Sequence, residues 1–288
     1  MSKGITRRML LGKMATGAAV VAAGVAGMGV ARKAKGDDLS FDLLSPGAPA
    51  DGGLECVDAV ELRRLTNRLN NAPHPRSFAE VPMVLTNRSQ WDAEAIDILK
   101  SYPGASVVYD AGDLFSPWLN IVRNNLNAMT VSLKDQNFLA TVATHGSAQF
   151  ALYDEYIWRK YHVADFLRSR IAAAKKMRGV RNPFLHQPIK AHDQPTLSDV
   201  EMEQGPYSPN DNSVHALQRR GAVFLACHNA VWEQAMALRD TGHNPDRKSH
   251  QAVAAELTNH LIPGVILTPG VLCTTFELQR SGFQYQKL

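Results

Sequence analysis

Residues 222–229 read Ala-Val-Phe-Leu-Ala-Cys-His-Asn, and this stretch decides the fold class. Its five apolar residues are typical of a strand that is buried on both faces, and a helical pattern over residues 230–238 follows directly. The same alternation of short apolar runs and longer amphipathic stretches recurs in both directions along the chain. It predicts four further strands, at residues 106–109, 138–144, 264–267 and 283–286.

Amphipathic stretches separate these predicted strands. Helical spacing predicts helices at residues 57–70, 89–101, 114–129, 148–161, 230–238, 249–260 and 271–280. One more apolar run, Val81–Thr86, predicts a strand at a sheet edge, because Pro82 cannot donate to a ladder. Strands that are joined by helices pair in parallel through right-handed crossovers. The sequence therefore predicts an α/β domain with three layers, αβα, around a mainly parallel sheet.

The composition fits a domain with a sizeable core. The chain has 288 residues, of which 45% are hydrophobic and 20% are charged, which argues against wholesale disorder and against a disulfide-dependent miniprotein. The net charge is +4, but seven basic residues precede the first acidic one, Asp37. Residues 36–288 carry 24 basic and 27 acidic side chains, a net charge of −3, so we predict no nucleic-acid partner. Three cysteines are too few for a disulfide framework.

The first 35 residues are typical of an export signal. Thr6-Arg7-Arg8-Met9-Leu10-Leu11 precedes an apolar stretch at 14–31 that is built mainly from Ala, Gly and Val. Paired arginines before a weakly apolar segment predict a twin-arginine signal peptide over residues 1–35, cleaved after Ala31 or Ala34. We therefore expect a periplasmic protein that is exported in the folded state. An uncleaved N-terminal anchor is the alternative, and membrane contact is expected only through export or such an anchor.

The remaining chain divides into a linker and one domain. Residues 36–55 are rich in Gly, Pro and Asp and predict a linker, and residues 56–288 predict a single domain. Within that domain, residues 179–213 contain five prolines and are too long for an ordinary connection. We expect this excursion to be a lid, a partner-binding arm or a partly disordered loop.

Side chains with useful chemistry follow the predicted strands, at the carboxyl ends where functional groups of parallel sheets gather. They are Asp110, His145, Ser147, Cys227, His228, Asn229 and Cys273. We predict Cys227 and His228 as the catalytic residues, because amides at a helix N-terminus stabilise a thiolate and His228 could add positive charge. The alternative is that Cys227 is a small buried apolar side chain.

The cysteines also lead to a geometric prediction. Cys273 follows the strand at 264–267, which we expect to lie next to the strand at 222–226. Cys227 and Cys273 should then lie on the same side of the sheet within roughly 12 Å, given the spacing of neighbouring strands, and a disulfide between them is possible. Cys56 should lie farther away.

Other kinds of site find little support in the sequence. No G-x-S-x-G surrounds Ser147, which argues against a serine hydrolase. A metal site from His145, Cys227 and His228, with His186 or His192, lacks the usual ligand spacing. Glycine-rich phosphate loops are absent from the mature region, so we predict neither a metal nor a cofactor.

Several segments together resemble the DsrE/DsrF-like family, over roughly residues 105–288. The similar segments are residues 142–154, 222–229, 261–270 and 276–285, while Trp158-Arg-Lys-Tyr161 and Arg181-Asn-Pro-Phe184 resemble an exported subgroup with twin-arginine signals. The resemblance implies a flavodoxin-like fold that is often oligomeric. It also implies that Cys227, after a strand, accepts sulfane sulfur as a persulfide, with a sulfur-donor or sulfur-acceptor protein as partner. The alternative function is a non-catalytic periplasmic binding or assembly module that uses the strand-end cleft or residues 179–213.

Overall fold

The computed structural model describes residues 58–185, 200, 201, 203, 205 and 207–288. The predicted signal peptide at 1–35, the linker at 36–55 and Cys56 lie outside the described residues. So do His186, His192 and much of the excursion at 179–213.

The centre of the domain is a sheet of five parallel strands. They are β1 (Ser106–Ala111), β2 (Leu139–Thr144), β3 (Val223–Cys227), β4 (Val265–Thr268) and β5 (Gln284–Lys287). Their order in space is β4-β3-β2-β1-β5, and every neighbouring pair is parallel. Strands β1 to β4 are buried along their whole length, and β5 is an exposed edge strand. The predicted sheet and the predicted adjacency of β3 and β4 are confirmed.

Nine α-helices surround this sheet within the described ranges. They are α1 (Val60–Asn71), α2 (Ala93–Lys100), α3 (Trp118–Asn127), α4 (Glu155–Lys160), α5 (Val163–Arg170), α6 (Val214–Arg219), α7 (His228–Asp240), α8 (His250–Asn259) and α9 (Val271–Arg280). Short 3-10 helices cover Arg88–Gln90, Ala148–Leu152, Ala172–Lys176 and Pro209–Asp211, and a π-helical turn covers Ala128–Ser132. None of the helices in the described part of the chain is both long and apolar enough to cross a bilayer.

Two predicted elements are wrong. Val81–Thr86 forms no strand: Val81 N donates instead to the carbonyl oxygen of Gln251, so this segment packs on α8 rather than on the sheet. The predicted helix at 148–161 is broken after Leu152. Tyr153 forms an isolated bridge with Leu261, and the Asp154 carboxylate accepts from the amide of Ile157 and so starts α4 as a new helix.

Helices cover both faces of the sheet. Apolar side chains of α3 to α8 pack on one face, in a core that includes Phe224 and Ala226 of β3. Those of α1, α2 and α9 pack on the other face, against Val223, Leu225 and Cys227 of the same strand. The domain is therefore a three-layer αβα fold of the flavodoxin-like type.

The order of the strands places a topological switch point at the carboxyl ends of β3 and β4. The chain leaves β3 into α7, whose Val231 and Leu238 belong to the first core. It leaves β4 into α9, whose Val271 and Leu278 belong to the second. Neighbouring strands whose connections leave toward opposite faces form a topological switch point, which is where open α/β sheets bind ligands.

Candidate functional site

Cys227 lies at this switch point. It is the last residue of β3, it is paired in register with Thr268 at the end of β4, and it directly precedes α7. Its Sγ atom accepts a hydrogen bond from the amide of Val271, the first residue of α9, at 3.4 Å. The positive ends of two helix dipoles therefore lie beside the Cys227 thiol.

The Cys227 thiol is also well enclosed. The residue is 6% exposed, and it packs in the apolar core with Leu225, Ala230 and Ile266. Its sulfur is a free thiol.

Gln149, which the sequence analysis did not single out, holds the backbone of Cys227. This side chain is fully buried, and its Oε1 atom accepts a hydrogen bond from the amide of Cys227 at 3.0 Å. The hydroxyl of Thr144, at the end of β2, lies 3.1 Å from Oε1 and donates to the carbonyl oxygen of Leu225 at 2.9 Å. Burial raises the pKa of Tyr153, and a hydrogen bond from the Gln149 side chain opposes this rise, so the Gln149 amide lies against the Tyr153 hydroxyl. The only sequence signal for Gln149 was its position four residues after His145, which was predicted as a cleft residue.

His228 is a neutral, anchoring side chain. It is fully buried as the first residue of α7, and its Nε2 atom lies 2.8 Å from the carbonyl oxygen of Pro82. Burial lowers the pKa of His228, although the neighbouring backbone carbonyls oppose this shift, so the ring is neutral near pH 7. Because Nε2 must carry the proton to donate to Pro82, Nδ1 is an acceptor, and it has no partner in the described part of the chain. His228 therefore does not supply the positive charge that the sequence analysis expected beside Cys227.

Asn229 and Cys273 lie near the same end of the sheet. Asn229 is exposed, and its Nδ2 atom would be 3.2 Å from a Cβ atom added to Gly270, so its side chain lies over the turn between β4 and α9. Cys273 is an exposed free thiol on α9, the helix that covers the face into which Cys227 packs. No disulfide joins Cys227 and Cys273.

Asp110, His145 and Ser147 form a separate group on the β1 side of β2. His145 Nε2 lies 2.7 Å from Asp110 Oδ1, and the Tyr285 hydroxyl donates to Asp110 Oδ2 at 2.7 Å. This hydrogen bond to Asp110, together with burial, raises the pKa of Tyr285 to about 12. The Ser147 hydroxyl accepts from the amide of Leu114 at 2.9 Å and makes no hydrogen bond with His145. The structure thus divides the predicted site residues into two sets, one around Cys227 and one around Asp110.

A buried chain of hydrogen bonds runs between the two sets. The Tyr153 hydroxyl donates to Gln234 Oε1 at 2.7 Å, and Gln234 Nε2 donates to the carbonyl oxygen of Gly146 at 2.7 Å. Gly146, which follows His145, has a φ of 51°, and a Cβ atom there would lie 2.7 Å from the carbonyl oxygen of Gly112. Glycine is therefore needed at this turn.

A metal site and a surface groove are two further kinds of site that the described residues could offer. No group of three or more His, Cys, Asp or Glu side chains there could hold a metal ion. A shallow groove of about 320 Å³ lies on α1 and α2 and contains none of the predicted site residues. It is lined by Asn67, Arg68, Asn71, Glu94 and Ile98.

Comparisons with models of protein families, with curated proteins and with solved structures gave no match for this chain. The resemblance to the DsrE/DsrF-like family therefore stays a prediction from the quoted segments.

Proposed function

We propose that this protein is an exported, DsrE-like sulfur carrier that holds sulfane sulfur as a persulfide on Cys227. The observation that supports this most is the position of the Cys227 sulfur. It lies at the switch point of the sheet and accepts a hydrogen bond from the first amide of α9. The twin-arginine stretch at residues 6–11 supports a periplasmic site of action.

The transfer step needs only a sulfur donor. The Cys227 thiolate attacks the terminal sulfur atom of a polysulfide, a bond forms between Sγ and that atom, and the adjacent sulfur–sulfur bond of the donor breaks. The shortened polysulfide leaves with the electron pair, and the thiol proton has passed to water. No external oxidant is required, because the sulfane sulfur arrives at its own oxidation level. A partner protein then takes the outer sulfur by the same exchange in reverse.

The surroundings of Cys227 favour the charged forms in this cycle. Thiolate and persulfide are anionic, and both would lie against the positive ends of α7 and α9. Neutral His228 keeps Pro82 and the following residues packed against the start of α7. The low exposure of Cys227, 6%, would shield a persulfide there from other thiols.

Mass spectrometry of the intact protein tests this proposal. The full chain, reduced and then incubated with polysulfide, should gain the mass of one sulfur atom. Cys227→Ser should abolish the gain, and Cys273→Ser is the matched control, since it removes an exposed thiol near the same end of the sheet. A gain that survives Cys227→Ser but is lost in Cys273→Ser would move the role away from Cys227.

The burial of Cys227 supports a second candidate function. At 6% exposure within an apolar core, the side chain also fits a structural role in a non-catalytic binding or assembly module. Thiol titration of the native protein separates the two. Reaction of Cys227 with a small neutral reagent before unfolding favours the sulfur carrier. A thiol that reacts only after unfolding, with partner binding intact in Cys227→Ser, favours the module.

A further inference from the structure

Resting on the proposed sulfur carrier, we propose that His145, held by Asp110, is the general base for the acceptor thiol that takes the outer sulfur from the Cys227 persulfide. His145 is thereby a second catalytic residue at the carboxyl edge of the sheet, and a protonated thiol is the class of acceptor that it serves.

The hydrogen bonds of Asp110 fix the tautomer of the His145 ring. His145 Nε2 lies 2.7 Å from Asp110 Oδ1, and the Tyr285 hydroxyl donates to Asp110 Oδ2 at 2.7 Å. An ionised carboxylate only accepts hydrogen bonds, so Nε2 carries the proton of the neutral ring and Nδ1 has a free lone pair. Nδ1 makes no hydrogen bond with any described residue, and the His145 side chain is 33% exposed. The basic nitrogen is therefore open to a proton donor from outside.

The backbone around His145 holds this ring in place. A Cβ atom added to Gly112 would lie 2.8 Å from the Cε1 atom of His145, so the ring lies against the backbone directly after β1. Gly146 has a φ of 51°, which lets the chain turn directly after His145. The ring is thus fixed between the Asp110 carboxylate and the Gly112 backbone, as a positioned base requires.

His145 and Cys227 point to the same face of the sheet. Side chains two residues apart along a strand share a face, and Ala143 of β2 and Leu225 of β3 both belong to the core under α1, α2 and α9. His145 follows Ala143 by two residues, and Cys227 follows Leu225 by two and packs in that core itself.

The backbone positions of the two residues are also neighbours, although their side chains make separate contacts. Thr144 and Ala226, which precede them, are paired in register between β2 and β3. The Cα atoms of His145 and Cys227 therefore lie about 5 Å apart, the spacing of neighbouring strands. The His145 ring reaches toward β1, whereas the Cys227 sulfur accepts from the start of α9. A thiol that binds between the two side chains contacts both.

The transfer is balanced by one proton that passes through His145. The acceptor thiol gives its proton to Nδ1, and the resulting thiolate attacks the outer sulfur of the persulfide. The bond between that sulfur and Cys227 Sγ breaks, its electron pair returns to Sγ as a thiolate, and the acceptor leaves as a persulfide. His145 then releases the proton to water, and no oxidant or reductant is consumed.

Two acceptors distinguish base catalysis from a structural role. The full chain is loaded with polysulfide and freed of excess reagent, and loss of the added sulfur is followed by mass spectrometry. L-cysteine has a thiol pKa of about 8.5, so only about a tenth of it is thiolate at about pH 7.5 and the rest needs a base. Sulfite is mostly ionised at that pH and takes the sulfur, forming thiosulfate, without giving up a proton.

Two variants remove the base in different ways. His145→Gln keeps an N–H donor toward Asp110 and has no basic nitrogen. In Asp110→Asn the Tyr285 hydroxyl donates to the amide oxygen, so the amide NH₂ group faces Nε2 and the ring proton moves to Nδ1. His260→Gln is the matched control, since His260 forms a pair of the same length with Asp154, at the end of α8.

Both His145→Gln and Asp110→Asn should transfer sulfur to L-cysteine about tenfold more slowly than wild type at about pH 7.5, because only the preformed thiolate reacts without the base. At about pH 9.5, where L-cysteine is already ionised, the rates should agree within twofold. Transfer to sulfite should stay within twofold of wild type in both variants, as should both transfers in His260→Gln.

A wild-type rate with L-cysteine in His145→Gln would overturn the inference, and so would equal slowing with both acceptors. Asp110→Asn decides by the same two results if His145→Gln does not fold. A wild-type chain that gains no sulfur from polysulfide would instead remove the proposed function itself, and the inference with it.

Discussion

Replacing Asp92 with asparagine should destabilise the protein by about 3 kcal/mol. The Asp92 carboxylate is fully buried and receives both terminal nitrogens of Arg76, at 3.0 and 2.6 Å. Its Oδ2 atom also accepts from the amide of Leu267 at 2.6 Å, and its own amide donates to the Leu267 carbonyl at 3.1 Å. Asp92 thus pairs with the backbone N–H and C=O groups of Leu267 on the edge strand β4, one residue before Thr268 and beside the candidate site.

The magnitude follows from the burial of the pair. Removing one partner of a buried ion pair typically costs about 3–5 kcal/mol, because the other charge is left uncompensated. The Arg76 side chain is 18% exposed and can regain some water, which favours the lower end of that range. For a domain of this size, about 3 kcal/mol corresponds to a decrease in Tm of roughly 6–12 °C.

Urea denaturation and thermal melts of the full chain measure this effect. Asp97→Asn is the matched control, because Asp97 pairs with Arg88 but both side chains are more than half exposed. Such a surface pair contributes less than about 1 kcal/mol. If Asp92→Asn costs no more than Asp97→Asn, the reasoning from burial is refuted.

The same pair predicts a dependence on pH. Burial opposes the charge on Asp92, but the hydrogen bond from His74 and the charge of Arg76 outweigh it, and the pKa of Asp92 is lowered. The stabilisation is therefore present above about pH 4, the ordinary value for an unfolded aspartate, and is lost as the pH falls through the lower folded value. The hydrogen bond to Asp92 raises the pKa of His74, so its contribution is complete below about pH 6.5 and is lost as the pH rises through the folded value.

Two further predictions concern other parts of the fold. Burial disfavours the charge on Glu256, but hydrogen bonds from Lys160 and Lys248 outweigh it and lower the pKa of Glu256 to about 2. The free energy of unfolding of Glu256→Gln should therefore fall less between about pH 4.5 and pH 2 than that of wild type, as measured by urea denaturation at each pH. A free energy of unfolding that falls as steeply with pH in the variant as in wild type would contradict this. Gly146→Ala should lower the free energy of unfolding more than Gly242→Ala does. Both glycines have positive φ, but only a Cβ atom at Gly146 would meet a backbone carbonyl oxygen. Gly242→Ala should cost about 1–2 kcal/mol, and equal losses in the two variants would refute the clash.

The buried strands could be predicted from the sequence because their signal is local. The apolar run at residues 222–226 matches β3 to within one residue, and the adjacency of β3 and β4 followed from the helices between them. Val81–Thr86 is equally apolar, but its partner is α8, and no local pattern distinguishes packing on a helix from pairing in a sheet. The break after Leu152 was missed for a similar reason, since Tyr153 is held by a bridge to distant Leu261.

The candidate site was predicted only in part. The position of Cys227 after a buried strand was visible in the sequence, and the switch point confirms that it lies at the carboxyl edge. The neutral state of His228 depends on Pro82, and the role of Gln149 depends on a hydrogen bond to a residue 78 positions away. Such contacts arise only when the chain is folded. Predicting that Asp110 and His145 lie apart from Cys227 likewise requires the order of the strands in the sheet.

The most direct test of the sulfur-carrier proposal is to locate the added sulfur within the wild-type chain. After brief treatment with limiting polysulfide, the protein is blocked, digested and mapped by tandem mass spectrometry. If exposure alone decided reactivity, the exposed thiol of Cys273 would carry the sulfur. We predict instead that the sulfur lies on the peptide containing Cys227, because that thiol faces the amide of Val271 at the switch point. Sulfur found on Cys273 or Cys56, with Cys227 unmodified, would contradict the account.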